Sequence, residues 1–228
     1  PAVPGFQNNL MQEKHQYLLR IAFLGFRYSG WQHQPGTRTV EGMLRKTLRH
    51  VLPGRQVRFL GAGRTDARVS AADFAIQMLL TGEALPSESA FLEATDRNLP
   101  PDIRLSSIEK VPSGFNAIRD CRQKTYRYYF TWGPKPHPYC APLLGYFPGE
   151  LNLDLMQRAA RQFEGEHDFR ALLASPTART RTRRRVACCR LRRNEELTAS
   201  FFPPLTRVLE VAGQGFGRYQ VRRMMAAL

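Results

Sequence analysis

The amino-acid sequence predicts an α+β fold made of two similar halves, each with the element order βαββαβ and a mostly antiparallel sheet. Three observations predict it. Apolar residues alternate at period two in several short stretches, segments with helical apolar spacing lie between them, and the same order of elements starts again near residue 122. With 228 residues, of which 43% are hydrophobic, the chain can form one large domain or two packed halves.

The first half, residues 17–112, follows a polar leader at residues 1–16 that we expect to be disordered or vector-derived. Leu19, Ile21 and Phe23 alternate on one face of its first strand, and Thr39 and Ser87 are suitable N-caps for its two helices. The predicted strands are residues 17–26, 57–60, 74–80 and 103–108. This is the ferredoxin-like or RRM-like order, in which two helices cover one face of a four-stranded sheet.

The second half, residues 113–228, repeats this order but lacks its last strand. We predict strands at residues 122–132, 186–191 and 205–212, a helix at residues 153–163 and a helix from about Gly217. Val221, Met225 and Leu228 place the end of the sequence inside that amphipathic helix, so a C-terminal strand is expected beyond it. Two such halves are predicted to join into one sheet with a central cleft.

The charge of the chain favours a polyanionic partner. Its 34 Lys and Arg exceed its 19 Asp and Glu, which gives a formal charge of +15 and a pI near 10.4. Nucleic acid is the first candidate, and an ordinary solvated surface is the alternative. The densest basic run, residues 179–185, is placed in a polar loop before a strand, where it either binds phosphates or is simply solvated.

Several other classes of protein are disfavoured. The four cysteines show no C-x-x-C spacing and no matching histidine pattern, which argues against a zinc site or a disulfide framework. No stretch has the roughly 18 to 20 apolar residues that a membrane span requires. We therefore expect a cytoplasmic protein.

The segment most informative about chemistry is Gly61–Ala71, GAGRTDARVSA, which lies between two predicted strands. Loops of this kind position catalytic groups, and a neighbouring arginine favours the ionised form of Asp66, which can then act as a nucleophile or a base. From the residues alone, a structural turn with an Asp–Arg pair is the more common explanation.

A family resemblance favours the catalytic interpretation. The segment resembles the G-R-T-D-A-G-V-H-A signature of the tRNA-acting TruA type of pseudouridine synthases, in which the Asp is catalytic. Further motifs of that family follow in the correct order over nearly the whole chain: YSGWQ at 28–32, NLPPDI at 98–103, KTYRY at 124–128, FEGEHDF at 163–169 and VRRM at 221–224.

The resemblance implies an active site and a partner. Asp66 would be the catalytic carboxylate, Arg64 and Arg222 would orient it or keep it anionic, and Tyr126 would stack on the target base. Contacts to RNA are expected from Arg68, Lys124, Arg218, Arg223, Arg181, Arg183 and Arg184. The resemblance also implies the pseudouridine synthase fold, a tRNA substrate modified in the anticodon stem-loop at positions 38–40, a homodimer, and no cofactor or metal.

Three departures from the family pattern concern the contacts to substrate. Arg68 stands where the family usually has Gly, Ser70 where it has His, and Phe115–Ile118 reads F-N-A-I in place of F-H-A-R. We expect Arg68 to exclude a positive φ at its position, and Ile118 removes one cation.

Two other functions remain open at this point. A non-catalytic, RRM-like RNA-binding protein would share the βαββαβ order, but Arg218 replaces the aromatic residue that an RRM signature near Gly215 would need. The other is an assembly protein with a vestigial site. The presence of Asp66, Tyr126 and Arg222 together disfavours both.

Overall fold

A computed structural model describes residues 13–228, and these form two compact units with mixed α+β structure. The first unit ends at Asp120 and the second begins at Cys121. The predicted leader lies mostly outside the described residues, but its last three residues, Lys14–Gln16, belong to the first strand instead. No helix within residues 13–228 is long and apolar enough to cross a membrane.

The first unit has the predicted element order. The elements are β1 (Lys14–Phe23), α1 (Val40–Val51), β2 (Val57–Gly61), β3 (Ala71–Thr81), α2 (Glu88–Asn98) and β4 (Ile103–Lys110). A single 3₁₀ turn, Gly25–Arg27, follows the first strand. The sheet is antiparallel with the strand order β2-β3-β1-β4, as a ferredoxin-like unit requires.

Local sequence signals explain these elements. Every second residue of β1 from His15 to Phe23 is buried, which gives the sheet one apolar face. Thr39 and Ser87 cap the two helices by accepting hydrogen bonds from Gly42 N and Ala90 N, each at 3.2 Å. Both helices and the sheet share one core, so the helices cover one face of the sheet.

Residues 113–120 still belong to the first unit. The buried side chain of Gln77 donates to the carbonyl of Phe115 at 2.9 Å and accepts from the backbone N–H of Ala117 at 3.1 Å. Gln16 also donates to the carbonyl of Ser113 at 3.1 Å. These bonds attach the segment to the sheet, so the first unit extends beyond residue 112.

The second unit has a five-stranded sheet. Its elements are β5 (Lys124–Trp132), β6 (Gly145–Phe147), α3 (Leu153–Arg161), β7 (Gly165–Asp168), β8 (Arg183–Arg193), β9 (Arg207–Gly213) and α4 (Gln220–Ala226). The strand order is β6-β5-β9-β8-β7, antiparallel except for the β5–β6 pair. The sequence predicts three of these strands and misses the edge strands β6 and β7, because three or four residues are too few to show a period-two pattern.

The basic run requires a correction. Arg183–Arg185 were predicted in a loop, but they open β8 because β7 pairs with them, with Asp168 opposite Arg183 and Glu166 opposite Arg185. The strands of the described residues form two hydrogen-bonded sheets, one in each unit. The single joined sheet stays a prediction.

Candidate active site

The loop that carries Asp66 connects β2 to β3 and is bound by the YSGWQ segment. The backbone N–H of Trp31 donates to the carbonyl of Thr65 at 3.4 Å, and that of Arg68 donates to the carbonyl of Tyr28 at 3.0 Å. A turn inside the loop is closed by Val69 N and the carbonyl of Asp66 at 3.2 Å. Two motifs that lie more than thirty residues apart in the sequence thus form one structural element.

Two glycines allow this close approach. A Cβ atom on Gly30, whose φ is +95°, would lie 2.4 Å from the carbonyl oxygen of Thr65. A Cβ atom on Gly25 would lie 2.0 Å from the carbonyl oxygen of Val69. Neither distance is possible for real atoms, so any side chain at these positions would push the Asp66 loop away.

Asp66 is half-buried, and Arg64, two residues earlier, is exposed. Between them, the hydroxyl of Thr65 is buried and has no hydrogen-bond partner among the described residues. The carboxylate of Asp66 is thus held on a fixed backbone but is still accessible. A nucleophile or a base needs both properties.

Arg68 contradicts the expectation for its position. Its φ is +64°, so it adopts the left-handed conformation that the sequence analysis excluded. The bond from its N–H to Tyr28 fixes the backbone there, and the loop keeps a glycine-like geometry although the residue has a side chain. That exposed side chain places its guanidinium carbon 5.9 Å from the ring centre of Phe26.

Ser70, the second departure, has a structural contact of its own. Its hydroxyl oxygen accepts a hydrogen bond from the backbone N–H of Gly25 at 2.9 Å. The loop is therefore tied at its far end to the 3₁₀ turn that follows β1.

Asp102 anchors the YSGWQ segment from the opposite side, and sequence reasoning did not single it out. Its carboxylate accepts from the Tyr28 hydroxyl at 2.7 Å and from Nε and Nη2 of Arg27 at 3.0 and 2.7 Å. Burial acts to raise the pKa of Asp102, but the hydrogen bonds from Tyr28 and Arg27 hold it below its usual value. Its place in the NLPPDI motif was the only available signal.

In the second unit, Tyr126 and Arg222 lie on two elements that pack together, β5 and α4. The half-buried ring of Tyr126 meets Phe216 edge to face at a centroid distance of 5.1 Å. Arg218 and Arg222 both lie over the ring of Tyr219, at 5.3 and 5.6 Å. Tyr126, Tyr128, Phe130 and Trp132 alternate along β5 and all contribute to the second core.

The positive charge of Arg222 affects the ionisation of the neighbouring Tyr128 hydroxyl. Burial raises the pKa of Tyr128, and the charge of Arg222 opposes that rise. Arg222 therefore acts electrostatically on the aromatic face of β5 that also carries Tyr126.

Several of the other residues predicted to contact RNA already form hydrogen bonds or ion pairs within the protein. Arg223 donates to the carbonyl of Leu173 at 2.6 Å, Arg183 pairs with Glu166 at 3.5 Å, and Arg181 donates weakly to the carbonyl of Arg183. Lys124 is half-buried at the start of β5, opposite Gly213.

Arg184 stands apart from these. It is half-buried, its Nε–H makes no hydrogen bond within the described residues, and its pKa is lowered by burial and by the charge of Arg181. An anion near its guanidinium would offset the repulsion from Arg181.

The structure places Asp66, Arg64 and Arg68 in the first unit and Tyr126, Arg222, Arg218 and Arg223 in the second. Each set is assembled within its unit, and their meeting stays a prediction. No cluster of three metal-binding side chains is found among residues 13–228.

A sequence model of the tRNA pseudouridine synthase family matches residues 159–228. One solved structure, the hypothetical protein ORF119 of Sulfolobus islandicus rod-shaped virus 1, aligns with 46% of this chain and 75% of its own at 14% identity. Its TM-score of 0.25 is too low to bear on the fold.

Three curated relatives carry the name tRNA pseudouridine synthase A. The chain is 34% identical to the Aquifex aeolicus protein and 35% identical to that of Pelobacter propionicus, in each case over 92% of this chain and 81% of the relative. It is 31% identical to the Limosilactobacillus fermentum protein over 94% of this chain and 80% of the relative. Since these similarities extend over nearly the whole chain, it belongs to the tRNA pseudouridine synthase A family.

Proposed function

We propose that this protein is an isomerase that converts uridine to pseudouridine in tRNA, with Asp66 as the catalytic carboxylate. The observation that carries the proposal is the half-buried Asp66 on a loop fixed by the YSGWQ segment, in a chain that belongs to the tRNA pseudouridine synthase A family.

The reaction moves a bond without changing oxidation state. The bond from ribose C1′ to uracil N1 breaks, the base rotates, and C1′ bonds to C5, while the proton of C5 is lost and N1 gains one. Asp66 serves either as a nucleophile on the sugar or as a base that releases a glycal-like intermediate. No hydride or electron is exchanged, so the chemistry itself requires no cofactor.

The other site residues have roles in holding the base and the charge. Tyr126 would stack on the detached uracil, and its edge contact with Phe216 fixes the ring for that purpose. Arg64 and Arg222 would keep Asp66 anionic or oriented. This requires the two halves, predicted at residues 17–112 and 113–228, to act as pseudo-symmetric units that join into one sheet with a central cleft.

The basic residues would bind the tRNA backbone. A uridine within a stem must be flipped out at a cost of a few kcal/mol, roughly, and contacts to phosphates offset that cost. Contacts to phosphates are expected from Arg184, where an anion would offset the charge of Arg181, and from Arg68, Lys124, Arg181, Arg183, Arg218 and Arg223. The proposed target is the anticodon stem-loop of tRNA at positions 38–40. The protein is further proposed to act as a homodimer in the cytoplasm.

Site-specific mapping of pseudouridine tests the function. Unmodified tRNA is incubated with the wild-type protein and with Asp66→Asn, which keeps the size of the side chain and removes its charge. We expect pseudouridine with the wild type and none with the variant, while both bind tRNA. Equal signal from both proteins would reject Asp66, and binding without modification by the wild type would point to a non-catalytic RRM-like protein.

A further inference from the structure

The 3₁₀ turn after β1 presents an aromatic ring beside the Asp66 loop. Phe26, in the middle of the turn, is 40% exposed, so one side of its ring is open to solvent. The turn cannot move independently of the loop, because Gly25 N bonds Ser70 and the Gly25 backbone touches Val69. The backbone that carries Phe26 is therefore fixed beside the loop that carries Asp66.

Arg68 completes a pair with this ring. Its guanidinium carbon is 5.9 Å from the centre of the Phe26 ring, and both side chains are exposed. Arg68 also holds a backbone conformation at φ +64° that disfavours any residue with a Cβ atom. An exposed cation–π contact with one ring stabilises the protein less than the left-handed backbone conformation costs. A further binding partner for the Arg68 side chain would explain why an arginine occupies this position.

The chemistry of the pair identifies the partner. Aromatic rings and guanidinium planes are the two surfaces on which proteins stack unpaired nucleobases. We propose that Phe26 and Arg68 form a stacking site for an unpaired base next to the target uridine, a subsite that rests on the proposed function and extends it beyond Asp66 and Tyr126. The site would favour RNAs in which that neighbouring base is already unpaired.

Two substitutions test the site without disturbing the fold. Arg68→Gly removes the side chain at a φ that glycine adopts freely, and Phe26→Leu keeps an apolar residue but removes the ring. Arg97→Gln, on helix α2, is the matched loss of one exposed positive charge elsewhere in the same unit. Thermal unfolding is expected to show that all three variants are folded.

Substrates with missing bases locate the contact. Each variant is assayed on intact tRNA and on a set of tRNAs in which one base beside the target uridine is replaced by an abasic residue. For the wild type, we expect one abasic position to lower kcat/KM roughly five- to a hundred-fold, the range for loss of one stacked base. On intact tRNA, Arg68→Gly and Phe26→Leu should each lower kcat/KM by a comparable factor. On that abasic RNA, their kcat/KM should be close to that of the wild type, because the stacked base is already missing. Arg97→Gln should match the wild type on both RNAs.

Other results would overturn the proposal. If the loss of kcat/KM caused by each substitution multiplies with the loss caused by the abasic residue at every position, the pair contacts no particular base. Full activity of Arg68→Lys together with full activity of Phe26→Leu would show a plain charge effect. Affinities measured on the same RNAs report the stacking contact even if the wild type forms no pseudouridine, so failure of the subsite and failure of the proposed function give different results.

Discussion

The backbone around Asp66 is positioned by residues that have no proposed part in the reaction itself. Gly25 and Gly30 let two segments of the chain touch the loop, and Ser70 ties the loop to the 3₁₀ turn. A single added methyl group at either glycine would therefore affect the position of the carboxylate.

Substitution of Gly30 tests this directly, with Gly36 as the control. Both glycines have positive φ, +95° and +72°, but a Cβ atom on Gly36 would meet no atom within 4 Å. We expect Gly36→Ala to cost about 1 kcal/mol of unfolding free energy through backbone strain alone. Gly30→Ala should cost a further ~1 to 3 kcal/mol from the clash with Thr65 and should also lower kcat.

Denaturant unfolding and single-turnover kinetics measure the two effects. Equal losses of stability in the two variants would mean that the contact between Gly30 and Thr65 does not constrain the loop.

The Tyr28 hydroxyl is a second single atom whose removal is informative. Tyr28→Phe takes away the 2.7 Å hydrogen bond to Asp102 and leaves Arg27 in place. We expect a loss of about 1 to 2 kcal/mol of stability. We also expect a larger relative fall in kcat than rise in KM, because the Tyr28 carbonyl that accepts from Arg68 N–H loses the anchor of its own side chain. A change in KM alone would show that Tyr28 acts on RNA binding and not on the loop.

At the scale of elements, the sheet of the second unit carries a charged cluster on β5, β8 and β9. The side chain of Glu210, in β9, is 10% exposed. It accepts hydrogen bonds from Arg190 at 2.8 Å and from Arg127 at 3.3 Å, and it forms an ion pair with Arg192 at 3.0 Å. These contacts join the three central strands of the sheet through side chains as well as backbone.

Glu210→Gln should destabilise the protein in a pH-dependent way. Burial acts to raise the pKa of Glu210, but the hydrogen bonds from Arg190 and Arg127 hold it below its ordinary value of 4.5. A lowered pKa contributes stability above the ordinary value, and this contribution is lost as the pH falls through the pKa of the folded protein. The difference from wild type should thus be largest at pH 7, about 2 kcal/mol, and should shrink below about pH 4.5.

Urea unfolding at pH 7 and pH 3.5 checks this prediction. Glu93→Gln, which removes an exposed carboxylate paired with Arg97 on α2, should change stability by less than about 0.5 kcal/mol at either pH. A pH-independent difference for Glu210→Gln would contradict the assigned direction of the pKa shift.

The elements differ in how well the sequence predicts them. α1 is predicted closely because Thr39 and the apolar spacing after it are local signals, whereas β7 is defined only by its partner β8. The site shows the same division. Asp66 and Tyr126 are marked by motifs, but the Asp102 anchor and the left-handed Arg68 depend on contacts between distant segments, which no local pattern encodes.

At the scale of the whole molecule, the formal charge of +15 should govern how the protein meets RNA. We expect affinity for tRNA to fall with salt at a log-log slope of about 0.7 to 0.9 per phosphate neutralised. Arg184→Gln should reduce that slope by about one, since the charge that acts on its guanidinium within residues 13–228 is that of Arg181 and not that of a carboxylate.

Arg97→Gln, which breaks an existing pair with Glu93, should leave the slope unchanged. Titrations of labelled tRNA between about 50 and 200 mM salt would show the difference. A flat response of the wild type would count against its basic surface as the RNA-binding face.

The Asp102 anchor also sets an order of events during protein synthesis. Asp102 follows Tyr28 by 74 residues, so the Asp66 loop is made before one of the groups that holds it in place. At about 5 to 20 residues per second, some 4 to 15 seconds separate the two on the ribosome. A growing chain that already contains Asp66 therefore lacks the anchored loop until Asp102 has been translated, and Tyr126 and Arg222 of the proposed site follow later still.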